Sequence, residues 1–499
     1  MSTYQLRTDH RPTQPPPTLD ADQRAVVEHR GGPLLLLAGP GTGKTTTLVE
    51  SVVDRIERRG LAPEQVLVLT FSRKAAGELR TRIAARLGRT TSGSLAYTFH
   101  AFCYALVRRF SDPVLYRHPP TLLSAPEHDV RLRELVDGTR REGSRVDWPV
   151  GLRPALGTRG LATELRALAA RTRALGLDPA DLEALGREHG RADWVAGGQF
   201  LAESLEVLDQ QHLVDYAEIV HRAGIIAADP AHQATLRREL RYVVVDEYQD
   251  TDPAQVRLLH ALAGDGQDLL AVGDPNQSIY AFRGADVRGL LGFPTRFRTR
   301  DGDPAPTLTL SSVRRSGPAV VAAARTVVSR LPVPGPIDAE AFRRLRSPSC
   351  VDPPFDPGDV GVRTFVSPAA EAESIAELLR RAHLDDEVPW SQMAVLVRAG
   401  LQSIPRLQRA LAAAGVPVTV AGDELPLRAQ PAVQTLLRAL RLTADLASGR
   451  TLRPDDVEVL LTSPLGAMSP AGVRRLCRSL RERDRADHDG LRPPRPSGQ

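Results

Sequence analysis

A glycine-rich segment with a single lysine follows four consecutive leucines near the start of the chain. It consists of Ala38, Gly39, Pro40, Gly41, Thr42, Gly43, Lys44, Thr45 and Thr46. Glycines let backbone N–H groups turn toward phosphate oxygens, and a helix that starts here adds its positive end. Lys44 would reach the β- and γ-phosphates, and the Thr45 hydroxyl would coordinate Mg²⁺. We therefore predict a loop that binds a nucleoside triphosphate, in which Ala38 replaces the usual first glycine.

Lysine is rare in this chain and occurs only at positions 44 and 74, whereas all other strongly basic residues are arginine. Mutational bias toward GC-rich codons explains the arginine excess as a whole. A lysine retained inside a glycine loop indicates a site that needs a compact ammonium group and not a planar guanidinium. The alternative for this segment is a glycine-rich turn that binds no nucleotide.

Two adjacent acids, Asp246 and Glu247, come directly after three valines. A buried parallel strand delivers such side chains to its carboxyl end, where ligands bind. Asp246 would hold Mg²⁺, directly or through water, and Glu247 would orient and deprotonate the water that attacks the γ-phosphate. The alternative is a solvated acidic turn, but the phosphate loop on another predicted strand favours the catalytic interpretation.

A third polar segment begins at Gly273, at the end of an apolar run. It offers the amide of Gln277 near the expected γ-phosphate, followed by Tyr280, Phe282 and Arg283. The only asparagine of the chain also lies in this segment, which suits a loop that needs turn chemistry. We expect this loop to lie at the same edge of the sheet as the two acids.

Apolar runs of strand length alternate with helical patterns around these segments. We predict a helix N-cap at Asp20 and helices over residues 45–59 and 74–87. Strands are predicted at the four leucines and at residues 66–70, 241–246 and 268–274. This alternation predicts an α/β fold with a parallel sheet.

Between the second and third of these predicted strands, the sequence becomes rich in leucine and arginine at helical spacing, as in residues 161–175. We predict an all-helical insertion there. A second α/β unit is expected from about residue 295, with strands at 307–310, 361–366 and 393–398 and a proline-rich loop over 331–357.

The overall composition is that of a globular protein, with a net charge of +5 and a pI of 9.3. This charge permits a polyanionic partner without requiring one, because arginines on solvated helix faces give the same total. The cysteines at 103, 350 and 477 are too far apart for a metal knuckle or a redox pair. No signal peptide and no apolar run of about 20 residues is present, so we expect a cytoplasmic location without membrane association.

Six motifs follow one another over residues 19–290 and read LDADQ, AGPGTGKTTT, VLTFSRKAAGELRTRI, YTFHAF, VVVDEYQDTDPAQ and GDPNQSIYAFRGAD. In these motifs and their order the chain resembles superfamily 1 DNA helicases of the UvrD/PcrA/Rep type. The residue patterns of the segments AFCYALVRRF and TSPLGAMSPAGVRRL are most similar to those of actinobacterial AdnA/AdnB-type helicase-nuclease subunits.

The resemblance implies a P-loop NTPase with RecA-like parallel sheet cores. The predicted domains are a disordered tail (1–17), a first motor core in two parts (18–104 and 240–294) around the helical insertion (105–239), a partial second core (295–445), and the start of an inserted helical domain with a disordered C-terminal tail (446–499). It also implies ATP and Mg²⁺ as cofactors.

The resemblance assigns further roles residue by residue. Gln23 would read the adenine edge. The positions that would line a single-stranded DNA channel are Phe71, Arg73, Lys74, Thr98, His100, Tyr280, Phe282 and Arg283. Aromatic rings stack on bases without sequence preference, but core packing is an equally good explanation for Phe71 and Phe99. Arg73 and Lys74 would either contact DNA phosphates or cap a helix.

The motif that opens the second core departs from the family pattern. Arg315 matches the arginine that reaches the γ-phosphate as an arginine finger. The base-stacking tyrosine is replaced by Arg314, whose guanidinium plane could still stack on adenine. Two later motifs of the family, including one with a second arginine finger, are missing from residues 320–499. We therefore expect a truncated chain or one completed by another subunit.

The sequence supports three functional hypotheses. The first is an ATP-dependent DNA helicase, 3′-to-5′ by resemblance, that acts on single-stranded DNA or a junction with duplex DNA in repair or recombination, with a possible helicase-nuclease partner subunit. The second is a truncated module that binds ATP and single-stranded DNA but hydrolyses ATP weakly. The third, an unrelated P-loop ATPase, is disfavoured by the DEYQD and GDPNQSIYAFRG segments.

Overall fold

The computed structural model describes residues 15–88, 95–110, 120–142, 145–281, 284–332, 338–351, 357–420 and 431–489. Its strands are β1 (Pro33–Ala38), β2 (Val66–Thr70), β3 (Ala96–Thr98), β4 (Thr121–Leu122), β5 (Leu213–Val214), β6 (Tyr242–Val245), β7 (Asp268–Gly273), β8 (Thr307–Leu310), β9 (Ser312–Val313) and β10 (Ser349–Cys350). Two units are distinguished, Met1–Val360 and Gly361–Gln499.

The helices of the first unit are α1 (Ala21–Glu28), α2 (Lys44–Glu57), α3 (Arg73–Leu87), α4 (Phe99–Phe110), α5 (Ala125–Glu142), α6 (Arg159–Leu175), α7 (Pro179–Glu188), α8 (Ala192–Gln210), α9 (Tyr216–Ala228), α10 (Pro230–Glu239), α11 (Pro253–Ala263), α12 (Val287–Leu291), α13 (Phe293–Arg296), α14 (Pro318–Val328) and α15 (Ala339–Arg346). Those of the second unit are α16 (Pro368–Leu384), α17 (Gly400–Ala413), α18 (Pro431–Ala447), α19 (Pro454–Thr462) and α20 (Pro470–Asp489).

A six-stranded sheet in the order β3-β2-β6-β7-β1-β8 organises the first unit, and every neighbouring pair is parallel. The predicted α/β class is confirmed. Successive side chains of a strand point to opposite faces, so both faces are apolar. Leu34 and Leu36 pack with α2 and α3, whereas Leu35 and Leu37 pack with α4, α9 and α11. This two-sided burial explains the uninterrupted run of leucines.

The segment between β3 and β6 is almost entirely helical in its described residues, as predicted, and the strands described there form the short parallel pair β4–β5. It has its own core, in which Trp148 and Phe200 lie among leucines of α5 and α6. The predicted helical pattern of residues 161–175 corresponds to α6. Helix α4 crosses the predicted limit at residue 104, and the domain limits remain a prediction.

Three details differ from the sequence prediction. Strand β8, expected in a second sheet, hydrogen-bonds to β1 at the edge of the first sheet. Residues 361–366 and 393–398 form no strand, and Val366 and Leu396 are almost fully exposed. Apolar, β-branched sequence favours a strand only where a partner supplies hydrogen bonds. The predicted loop over 331–357 contains α15 and β10.

The second unit is helical in its described part, and its small core brings α16 against α17. The predicted C-terminal tail overlaps α20, whereas residues 490–499 lie outside the described part of the chain, as do residues 1–14 of the predicted N-terminal tail. No described helix is long and apolar enough to cross a membrane.

Candidate functional site

The phosphate loop connects the buried strand β1 to helix α2. Gly41 and Gly43 have φ angles of 75° and 90°, in the left-handed region that favours glycine. Ala38 ends β1, is fully buried and does not have a positive φ. Its Cβ is therefore compatible with the backbone at the position where the general pattern has a glycine.

The loop packs closely against the segment after β8. The backbone N–H of Arg314 donates to the carbonyl oxygen of Gly41 at 2.9 Å. A Cβ added to Gly41 would lie 2.8 Å from the Cβ of Arg315, too close for any side chain. Arg315 is exposed and makes no salt bridge with the described part of the chain. The proposed arginine finger is thus placed beside the phosphate loop.

Lys44 and Glu247 form the central ion pair of the site. The Nζ of Lys44 donates to both carboxylate oxygens of Glu247, at 3.0 and 2.9 Å. Glu247 follows β6 and has a left-handed backbone, with φ 54°. The residue expected to bind phosphate and the residue expected to activate water therefore contact each other directly.

Gln249, which the sequence analysis did not single out, is almost completely buried behind Glu247. Its Nε2 donates to Glu247 at 2.8 Å, and its Oε1 accepts from the backbone N–H of Asp274 at 3.1 Å. Asp274 in turn accepts from Nε2 of Gln277 at 2.8 Å. A buried amide that links both polar segments could have been suspected from its place two residues after Glu247.

Two carboxyl groups in the site have raised pKa values. Burial, followed by the charge of Glu247, raises the pKa of Asp246 to about 6, although Lys44 opposes this. Burial and Glu247 also raise the pKa of Asp250 to about 6. An Oδ1 atom of Asp250 is buried without a hydrogen-bond partner. A buried carboxylate oxygen without a partner, as in Asp250, favours a bound cation.

The donor set fits Mg²⁺ bound together with phosphates. Thr45 offers a hydroxyl in the first turn of α2, and Asp246 offers a carboxylate at the end of β6. No group of three or more His, Cys, Asp or Glu in the described residues could hold a metal alone. Mg²⁺ commonly takes one or two protein oxygens and completes its shell with water and phosphate oxygens.

The expected adenine side of the site is closed by contacts within the chain. Asp20 caps α1, and the amide of Gln23 accepts from the backbone N–H of Asp20 at 3.1 Å. Gln23 also donates to the Thr42 carbonyl at 3.4 Å. Arg314 forms an ion pair with Asp20 and donates to the Thr42 carbonyl at 3.3 Å. Gln23 and Arg314 thus both contact the phosphate loop, and their roles at the adenine remain a prediction.

Two of the predicted DNA-binding aromatic residues stack on each other. The rings of Phe71 and Tyr280 have centroids 4.7 Å apart and an interplanar angle of 23°. Phe71 follows β2 and Tyr280 follows β7, so the parallel sheet brings them together. Both are partly exposed, whereas Phe99 is buried in the core. Phe282 and Arg283 lie outside the described residues.

The remaining predicted DNA contacts surround this pair on neighbouring elements. Arg73 and Lys74 are exposed in the first turn of α3, which Ser72 caps. Thr98 accepts from the backbone N–H of Ala101, and the ring of His100 contacts Tyr216 edge-on. Burial lowers the pKa of His100 to about 4. His100 is therefore neutral near pH 7 and offers a ring surface without charge.

Comparison with known proteins gives consistent matches. The UvrD/REP helicase N-terminal domain matches residues 19–298. The ATP-dependent DNA helicase UvrD2 of Mycobacterium tuberculosis is 32% identical over 473 residues, which are 91% of this chain and 62% of the relative. UvrD1 of Mycobacterium leprae is 29% identical over 332 residues, covering 62% of this chain and 39% of the relative.

A relative of lower sequence identity also matches most of this chain. The ATP-dependent DNA helicase PcrA of Staphylococcus epidermidis is 25% identical over 464 residues, which are 92% of this chain and 57% of the relative. The chain therefore spans less than two thirds of the length of these relatives. The likeness to AdnA/AdnB subunits and the truncation remain predictions.

Proposed function

This chain belongs to the UvrD/REP helicase family, and we propose that it is an ATP-dependent DNA helicase that uses Mg²⁺. We further propose 3′-to-5′ movement along single-stranded DNA, or from a junction with duplex DNA, in repair or recombination. The observation that carries the proposal is the Lys44–Glu247 pair at 2.9 Å, joined through Gln249 to the loop that bears Gln277 and Tyr280.

This arrangement supports a hydrolytic role for the ion pair. An arriving triphosphate would draw Lys44 toward its oxygens and release the Glu247 carboxylate. Glu247 would then accept a proton from a water molecule. As it does so, the water oxygen forms a bond to the γ-phosphorus, and the bond between the γ-phosphorus and the leaving oxygen of ADP breaks. Arg315, beside Gly41, would stabilise the charge that develops on the phosphoryl oxygens.

The other residues hold the reactants. Thr45 and Asp246 would hold Mg²⁺, which neutralises phosphate charge when it is bound. The backbone N–H groups of the phosphate loop would orient the chain of phosphates. Gln23 and Arg314 would contact the adenine after rearrangement of their present hydrogen bonds. Tyr280 and Phe71 would stack on bases of the DNA strand.

The proposal is tested by ATP hydrolysis with and without single-stranded DNA. We expect DNA to stimulate the parent, and Glu247→Gln to lower the stimulated rate by about 10²–10⁴-fold, because a general base contributes about this much. Nucleotide binding, followed with a fluorescent ATP analogue, should persist. Glu28→Gln, an exposed change on α1, serves as the control.

The same measurements identify the alternative function. A chain that binds ATP and DNA, shows no stimulation, and hydrolyses ATP equally with Glu247 or Gln would be the weakly hydrolytic binding module. A strand-displacement assay with a 3′- or 5′-tailed duplex would then test polarity in a chain that passes the first experiment.

A further inference from the structure

A groove crosses the first unit beside α11 and is separate from the nucleotide loop. Two hollows of about 510 and 540 Å³ share Thr299 and Arg300. The groove continues past His260 and Arg296 through hollows of about 390 and 290 Å³. It begins at the amino ends of β1, β6 and β7 and ends beside Thr251 and Asp286.

Arginine dominates the lining of this groove, with nine arginines against five aspartates. Three aspartates are already neutralised, because Asp268, Asp265 and Asp286 pair with arginines at 2.8–2.9 Å. Six lining arginines form no salt bridge with any described acid, namely Arg30, Arg241, Arg257, Arg296, Arg298 and Arg300. The groove therefore carries positive charge that no salt bridge to a described acid balances.

Backbone contacts keep some of these arginines in place. Arg257 donates to the carbonyl oxygens of Arg173 and Ala174 at 3.3 and 3.2 Å, at the end of α6. The pKa of Arg257 is lowered by burial and, in the same direction, by the neighbouring Arg296, while Asp252 opposes them. Both guanidinium groups line the same hollow, so an anion bound there would be attracted by both.

The strand end of the groove is shaped by glycine. Gly266 has φ 75°, and a Cβ added there would lie 2.6 Å from the backbone nitrogen of Arg300. The loop carrying Arg300 therefore lies directly on the turn before β7. Gly31 and Gly32 line the same hollow, so the arginine heads border a surface with few side chains.

We propose that this groove, the arginine groove, binds the phosphodiester backbone of the same DNA molecule that contacts Tyr280, an inference that rests on the proposed function. Planar guanidinium groups bind phosphate oxygens in pairs of hydrogen bonds. Helix α11 has 11 residues and is about 16 Å long, which spans several phosphates of a DNA strand at about 3.4 Å each along a duplex axis.

Continuity with the Tyr280 loop supports DNA as the occupant. The backbone N–H of Asp286 donates to the Thr251 carbonyl at 3.1 Å, which joins the segment after Tyr280 to the start of α11. Both Thr251 and Asp286 line the last hollow of the arginine groove. The segment that follows Tyr280 therefore reaches the end of the groove, where a DNA molecule bound at the aromatic pair would meet it.

The test compares two triple variants of the whole chain. Arg241→Ala/Arg296→Ala/Arg300→Ala removes three exposed arginines of the groove, and Arg159→Ala/Arg325→Ala/Arg330→Ala removes three exposed arginines elsewhere. Affinity is measured by fluorescence anisotropy over a range of salt concentrations. The DNAs are single strands of about 8 and 40 nucleotides and a tailed duplex, since binding sites of single-strand binders cover about 4–16 nucleotides.

We expect the groove variant to bind the long strand or the tailed duplex about tenfold or more weakly than the parent. The slope of log K against log salt should become shallower by about 2, because each of three lost single-strand phosphate contacts contributes about 0.7. The DNA that shows the loss tells whether the groove takes single-stranded or duplex backbone. The short strand, ATP hydrolysis without DNA and the control variant should remain at the parent values. Restoring charge with Arg→Lys at the three positions should recover most of the slope.

An unchanged slope for every DNA, with binding still weakened by Tyr280→Ala, would overturn the groove assignment and leave the proposed function standing. Absence of DNA binding by the parent would instead overturn the proposed function. Binding of inorganic tripolyphosphate that is lost in the groove variant, with an unchanged DNA slope, would identify a small-anion site and also reject DNA. A thermal unfolding midpoint equal to that of the parent confirms that each variant folds.

Discussion

Glu247 combines an uncommon backbone conformation with a central position in the site. A left-handed conformation at a residue other than glycine costs of order 1–3 kcal/mol and tends to occur at functional sites. Here the backbone N–H of Glu247 donates to Asp246, and its carboxylate is held by Lys44 and Gln249. These bonds offset the cost and direct the carboxylate toward the phosphate loop.

Gln249→Ala should impair hydrolysis more than nucleotide binding, because Gln249 positions Glu247 without contacting the expected phosphates. We expect the DNA-stimulated kcat to fall by about 10–100-fold, as for other residues that orient a catalytic group, with a nearly unchanged KM for ATP. Steady-state ATPase assays measure both. Gln65→Ala, which removes another amide bound to a backbone N–H far from the site, is the control. A rise in KM with unchanged kcat would contradict this role.

His100 should make the fold sensitive to mild acid. Its pKa is about 4 in the folded chain and 6.5 in its ordinary state. Between these values the unfolded chain takes up a proton that the folded chain does not, so stability falls as pH decreases through this window. Thermal unfolding between pH 7 and 5 should therefore show a smaller loss of Tm for His100→Gln than for the parent. Exposed His189→Gln should behave like the parent, and equal losses in all three would refute the assignment.

Helix α1 is fixed to the sheet by its acidic first turn. Asp22 accepts from the backbone N–H and the hydroxyl of Ser311, at 3.1 and 2.6 Å, and from Arg344 at 2.6 Å. Asp20 binds Arg314 on the same side. Because Gln23 lies between these contacts, α1, the end of β8 and α15 together determine where an adenine-reading amide would sit.

Asp22→Ala should loosen this anchor. We expect the free energy of unfolding to fall by about 1 kcal/mol, because hydrogen bonds to a partly exposed charged group are lost, and the KM for ATP to rise severalfold. Chemical denaturation and steady-state kinetics measure the two effects. Glu28→Ala on the exposed side of α1 should change neither. An unchanged KM together with lower stability would show that the anchor is structural only.

At the scale of the whole molecule, charge distribution matters more than net charge. The total of +5 is small for 499 residues. Many acids of the first unit nevertheless pair with arginines, whereas six arginines of the arginine groove and the two basic residues at the start of α3 form no salt bridge with a described acid. Local excess charge is what attracts a polyanion.

The DNA affinity of this chain should therefore fall steeply with salt. Phosphate contacts release counterions, so log K should decrease linearly with log salt, with a slope of about −0.7 for each phosphate of a single strand. Anisotropy titrations at several salt concentrations measure this slope. A flat response would argue against every DNA contact assigned to this chain, whereas an uncharged nucleic-acid analogue should show little salt dependence.

The parallel sheet and its polar loops follow directly from local sequence. Runs such as Val66–Thr70 and the leucines of β1 are strands in the structure because both faces of a parallel sheet are buried. The start of α1 was predictable because its cap depends on neighbouring residues only. Residues 361–366 were predicted as a strand from the same kind of pattern but form none, because strand pairing depends on a partner that local sequence does not specify.

The sequence by itself determined the chemistry available to this protein: a phosphate loop, paired acids, an amide and aromatic residues at the ends of parallel strands. Only the tertiary structure decided that Lys44 binds Glu247, that Gln249 links the two polar loops, that β8 joins the first sheet, and that arginines without a salt bridge to any described acid line a groove beside α11. The physical reason is range. Caps, glycine turns and apolar runs act over a few residues, whereas ion pairs and grooves depend on residues distant in sequence that the folded sheet brings together.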